Sequence, residues 1–151
     1  MVSKLIGGSR ALFTPGTNCV GNTATLAEII AVKTIVPGVP GVQYQPVYFW
    51  MVPNGTFTTA TSVGLQSSNS TPVTIGTQAI AGVDNGTFIR PGHSNMVLGA
   101  GFGEKLGIGD GIDIVETGST LAGGTDIRVF VFFQIFAPDT GLKPALGDMN
   151  Q

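Results

Sequence analysis

This chain carries little charge. Only 11% of its 151 residues are Asp, Glu, Lys or Arg, against roughly 25% in an average soluble domain. The hydrophobic fraction, 42%, is only slightly below the ordinary, so the core is normal and the missing part is a charged surface. A surface of Thr, Ser, Gly, Asn and Gln lies against another protein without the desolvation cost that Lys and Glu carry. That favours an oligomer or a large assembly over a free monomer. The seven basic and nine acidic residues are scattered and sum to a net charge of -2. No basic stripe is there to follow a phosphate backbone, and no nucleic-acid partner is expected.

Cysteine is represented by Cys19 alone. That excludes an intrachain disulfide and a site built of several thiolates, and it fits a reducing compartment without requiring one. Long apolar runs are also missing. The longest, residues 47–52 and 129–133, are far below the roughly 20 residues that span a bilayer, so no membrane segment is expected. The first ten residues hold Lys4 and Arg10 but no apolar stretch of about 7–15 residues such as a signal peptide needs. Export by that route is therefore not expected.

Glycine and proline are abundant, 23 and 9 residues, and their spacing cuts the chain into pieces too short for ordinary helices. Strands are what remains. Residues 126–136, closed by Pro138, form a run of β-branched and aromatic side chains. One face carries Ile127, Val129, Val131, Phe133 and Ile135; the other carries Arg128, Phe130, Phe132, Gln134 and Phe136. A strand apolar on both faces is expected at the centre of a sheet, covered on each side. Residues 45–52 have the same character and end at the turn signature Pro53-Asn54-Gly55-Thr56. Further strands are expected at 29–36, 58–65, 72–75, 87–89, 95–98 and 111–116, the short, turn-separated spacing of an antiparallel sandwich. Thr25 and Glu28 have capping-box spacing for a helix over 25–32, but the β-branched run that follows favours a strand. The expected domain organisation is an extended N-terminal arm over residues 1–24, a β-sandwich over 25–137 and a C-terminal tail over 138–151.

No constellation of residues reads as catalytic. His93 is the only histidine, and nothing in the sequence sets an acid or a nucleophile beside it, whether Ser94 or Cys19. The glycine-rich run 99–107 lacks the Gly-Lys-Ser/Thr ending of a phosphate-binding loop, because Glu104 and Leu106 flank Lys105. The dinucleotide fingerprint fails as well, at position 104. Asp110, Asp113 and Glu116 recur every third residue, a spacing that alternates faces along a strand and so separates calcium ligands. No metal site and no cofactor is expected. Three Asn-x-Ser/Thr tripeptides begin at Asn54, Asn69 and Asn85, two of them Asn-Gly turns. Tyr44, Tyr48, Phe49 and Trp50 are the main aromatic cluster, and core packing is favoured over a ligand groove.

Residues 52–136 resemble the β-sandwich module of tailed-phage structural proteins. The likeness runs from the strand entering Asn54-Gly55-Thr56-Phe57-Thr58, through a Thr/Ser-rich middle, to the strand Gly111-Ile112-Asp113-Ile114-Val115-Glu116. A closing Gly/Thr hairpin over 117–125 then leads into Asp126-Ile127-Arg128-Val129-Phe130-Val131. The resemblance implies a jelly-roll-like, all-β capsid decoration (cement) protein, not an enzyme. Such a protein sits on the outside of the head as a homotrimer and bridges major capsid subunits, after assembly in the host cytoplasm. The alternative is a receptor- or glycan-binding module of a tail fibre or tailspike, stacking sugars on Tyr48 and Trp50. A third reading is a small hydrolase using His93. No binding residue is carried over from the family. For the arm, Lys4, Leu5, Ile6, Arg10, Leu12 and Phe13 are the expected capsid-docking side chains, on their amphiphilic character.

Overall fold

The computed structural model describes residues 16–59 and 61–137. The chain forms β1 (Thr17–Thr25), α1 (Leu26–Ile30), β2 (Lys33–Val36), β3 (Gln43–Asn54), β4 (Thr61–Ser67), β5 (Thr74–Ala79), β6 (Met96–Leu98), β7 (Ile112–Gly118) and β8 (Asp126–Phe136). All strand pairs are antiparallel, in a three-stranded sheet ordered β1-β8-β3 and a five-stranded sheet ordered β2-β7-β4-β5-β6. The all-β sandwich expected from the sequence is therefore present. Among the described residues no helix is long and apolar enough to cross a membrane.

Alternation explains the core. Along β8, Ile127, Val129, Val131 and Phe133 are buried, while Arg128, Phe130, Phe132 and Gln134 face the other way and are partly or wholly exposed. Phe49 and Met51 of β3 join the buried set, and Val63, Leu65, Ile75, Ile112 and Ile114 meet them from the five-stranded sheet. Burying each of these side chains contributes roughly 1.5–3 kcal/mol. Gly76 of β5 makes the fit possible: a Cβ there would stand 2.7 Å from the Phe49 ring. β8 is central in its sheet, as its two-faced sequence predicts.

Three expectations are corrected. Residues 17–24, assigned to the arm, form most of β1 and pair with β8 in unbroken register from Thr17↔Gln134 to Thr25↔Asp126. The low apolar content of Thr-Asn-Cys-Val-Gly-Asn-Thr-Ala-Thr hid an edge strand, which needs apolar residues on one face at most. Residues 1–15 and the tail from 138 onward lie outside the described residues, and with them Lys4, Leu5, Ile6, Arg10, Leu12 and Phe13. The strand expected over 29–36 begins as helix α1. Glu28 N–H donates to Thr25 Oγ1 at 3.3 Å and Thr25 N–H donates to Glu28 Oε2 at 2.8 Å, a complete capping box. Two local hydrogen bonds outweigh the weak β preference of the isoleucines for one turn, and β2 starts only after Val32, which has φ 67°. The strand expected over 87–89 reduces to a single bridge, Met51↔Ile89.

Candidate functional site

The outer face of the three-stranded sheet is the most distinctive surface of the molecule. Register sets Trp50 of β3 beside Phe130 of β8, and Phe130 beside Gly21 of β1. The Trp50 and Phe130 rings stack with centroids 4.0 Å apart and planes 18° apart. On the other flank of Trp50 the Phe88 ring lies at 5.0 Å, tilted by 36°. The result is a row of rings across the sheet, Phe88, Trp50, Phe130, ending over Gly21, where the Phe130 ring occupies the space a Cβ would need. A second row runs from Tyr48 to Phe132, at 5.8 Å, and on to Cys19 in register. Each such aromatic pair adds about 0.5–1.5 kcal/mol beyond its burial. Farther along β8, Lys105 Nζ sits 4.1 Å from the centroid of Phe136.

These rings divide the aromatic cluster. Phe49 is core, as expected, but Tyr48 and Trp50 are only partly buried. A sandwich strand has one inner face, and Phe49 takes it. Phe88, Phe130 and Phe132, which complete the rows, have no sequence signal linking them to Tyr48 or Trp50, because their proximity comes from cross-strand register.

The two edges of this sheet differ. Along β3 the carbonyls of Val42, Tyr44 and Pro46 accept from the N–H groups of Gly109, Leu106 and Gly103, and Met51 exchanges both bonds with Ile89. The glycine-rich run therefore closes a sheet edge, with the Gly103 and Leu106 amides spent on the Pro46 and Tyr44 carbonyls. Along β1 the edge is only partly engaged. Lys33 Nζ donates to the Thr23 carbonyl at 2.8 Å and to Glu28 Oε1 at 2.9 Å. The Thr25 N–H, foremost, and then Lys33 lower the Glu28 carboxyl from the ordinary 4.5 to about 2.

The candidate chemical groups are kept apart. His93 Nδ1 lies 2.9 Å from the carbonyl oxygen of adjacent Ser94, beside a shallow cavity of about 300 Å³ also lined by Gln78, Asp84 and Asn95. Cys19 is exposed on β1, in the other sheet. The acidic trio is engaged piecemeal: Asp113 accepts from Thr34 Oγ1 at 2.8 Å, Glu116 from the Leu121 N–H at 2.6 Å, and Asp110 from Asn69 Nδ2. Among the described residues no three His, Cys, Asp or Glu side chains gather as a metal-ligand set. Gly55 and Gly86 adopt φ 93° and 80°, so the two Asn-Gly sequences are turns, and Asn85 Oδ1 accepts from the Gly55 N–H at 2.7 Å.

A scan against protein-family models and a search of curated proteins return no match to the chain.

Proposed function

We propose that the chain is a structural protein of a tailed-phage virion, lying on the outer capsid surface and stabilising the head by bridging major capsid subunits without chemistry of its own. The observation that carries this reading is the outer sheet face, where aromatic rings pack against one another in two rows, with Arg128 and Lys105 as the basic side chains beside them. Aromatic rings and arginine are the side chains enriched where proteins bury surface against one another. The strand pairing supports the finer fold reading of a jelly roll, a winding shared by viral capsid and lectin domains. A jelly roll is a long hairpin rolled up, with first strand on last and second on next to last. Here β1 pairs β8, β2 pairs β7 and β4 pairs β5, while β3 receives a bridge from Ile89 instead of a full strand. Fold alone does not imply function, so the argument rests on the surface.

A tail-fibre or tailspike module that binds glycan would need open ring faces on which a sugar can stack. Trp50 has a ring on each flank, so its faces are already occupied. The test is quantitative mass spectrometry of purified virions, followed by heating of heads with and without the chain. Copies on the order of the capsomer number and a raised rupture temperature are expected. A few copies confined to tails, or heads that rupture at the same temperature without the chain, would overturn the proposal.

A further inference from the structure

Four strands end the two sheets, and three of them are short or covered. β2 has 4 residues with a register shift after Thr34, β6 has 3, and the outer side of β3 is met by loop amides. β1 has 9 residues in unbroken register, with no charge, proline or bulge of the kind that blunts an edge. The bonds at its C-terminal end show which residues face outward. The Thr23 carbonyl accepts from Lys33 and the Thr25 N–H donates to Glu28, both away from β8, whereas the Leu26 N–H donates to the Thr125 carbonyl at 3.2 Å. Backbone groups of successive residues point to opposite sides of a strand. Thr17, Cys19 and Gly21 therefore share the outward direction of Thr23 and Thr25. At Thr23 and Thr25 that side is taken by Asn22, Lys33 and Glu28 side chains. At Thr17, Cys19 and Gly21 no described residue bonds to it.

We propose that this open half of β1 pairs antiparallel with the same segment of a second copy, about a two-fold axis at Cys19, joining two three-stranded sheets into one of six strands. The segment suits itself. It carries no charge, so no like charges oppose each other, and its three outward residues are symmetric about Cys19. Thr17 meets the partner subunit's Gly21, Cys19 meets the partner subunit's Cys19, and about six N–H···O=C bonds form. The Lys33–Glu28 clamp limits the pairing at one end. At the other, the sequence upstream of Gly16 is Pro15, which has no N–H to extend a ladder. The row Tyr48, Phe132, Cys19 then continues through the axis into its symmetry mate, setting the two aromatic faces side by side across the paired cysteines. An isologous contact of this kind closes on two-fold symmetry, in place of the trimer that the resemblance implies. The proposal deepens the assembly reading and rests on it for its purpose, not for its geometry.

The native thiol tests it, since Cys19 is the single cysteine and is exposed. Paired Cα atoms at the axis are about 5.5 Å apart, within reach of a bismaleimide with a two-carbon spacer. Sedimentation velocity should show a monomer–dimer equilibrium, and the reagent should link two chains through Cys19. Cys19→Lys should weaken the dimer at least ten-fold while leaving the melting curve unchanged at dilutions where the parent is monomeric, and Cys19→Ser should keep the dimer and abolish the link. If the lysine variant fails to fold, amide exchange of the unmodified chain decides: protection at Thr17, Cys19 and Gly21 should rise with protein concentration. A monomer at every concentration, a trimer, a dimer whose thiols do not link, or protection independent of concentration would overturn the proposal. Heads lacking the chain would sink the virion reading and leave this dimer standing, and a monomer that binds heads would do the reverse.

Discussion

The two edges of the three-stranded sheet solve the same problem in opposite ways. The β3 edge is closed by backbone: amides of residues 103, 106 and 109 reach its carbonyls, and the side chains of Gln43 and Gln45 donate back to the Leu106 and Gly103 carbonyls at 2.9 and 2.6 Å. The β1 edge is closed by side chains, and only at Thr23 and Thr25. A backbone seal needs a long loop held in register, which the glycines permit. A side-chain seal needs only one ion pair, but it leaves the rest of the strand open to another chain.

The largest expected effect comes from breaking the backbone seal. A Cβ at Gly38 would collide with the Gly109 carbonyl, pushing the 107–110 turn off β3. Gly38→Ala should cost about 3 kcal/mol, read as a lower urea midpoint at unchanged slope; an unchanged midpoint would mean the turn yields freely. Next come the two glutamines. Gln43→Ala and Gln45→Ala should each cost about 1 kcal/mol and speed amide exchange at Gly103 and Leu106, and exchange that does not change would show that the loop holds itself.

The smaller effects belong to the side-chain seal. Lys33→Ala should lower stability by at most about 1 kcal/mol. It should also free Thr23, letting a pairing centred on Gly21 compete with one centred on Cys19 and reducing the yield of the Cys19 link. A link yield equal to that of the parent would show that the clamp does not set the register. The smallest effect is a pH dependence. Glu28 titrates at about 2 in the folded chain, below its ordinary 4.5. Its contribution is thus complete above 4.5 and is lost as pH falls through 2. Glu28→Gln should flatten the acid limb of the stability profile between those values; a limb of the same slope would place the acid sensitivity elsewhere.

The legible part of the fold was local. Alternation over residues 126–136 identified a central strand because both of its faces needed cover, and the Asn-Gly pairs identified turns because they tolerate positive φ. The Thr25–Glu28 capping box was visible too, but it was outweighed by the β-branched residues after it. The edge strand β1 was missed because an edge with one solvated face has little apolar pattern to read. The outer aromatic face was half legible: Tyr48 and Trp50 stood out, but Phe88, Phe130 and Phe132 join them only through register.

Composition and residue order by themselves determined that this chain would be strand-built and poorly charged, since those properties belong to residues counted or taken in sequence. The tertiary structure decided which strands lie at the centre and which at the rim, which aromatics share a face, and which edge stays open. Those outcomes depend on hydrogen bonds between residues as far apart as Thr17 and Gln134, and such pairings are set by the packing of two sheets against each other, which no local pattern encodes.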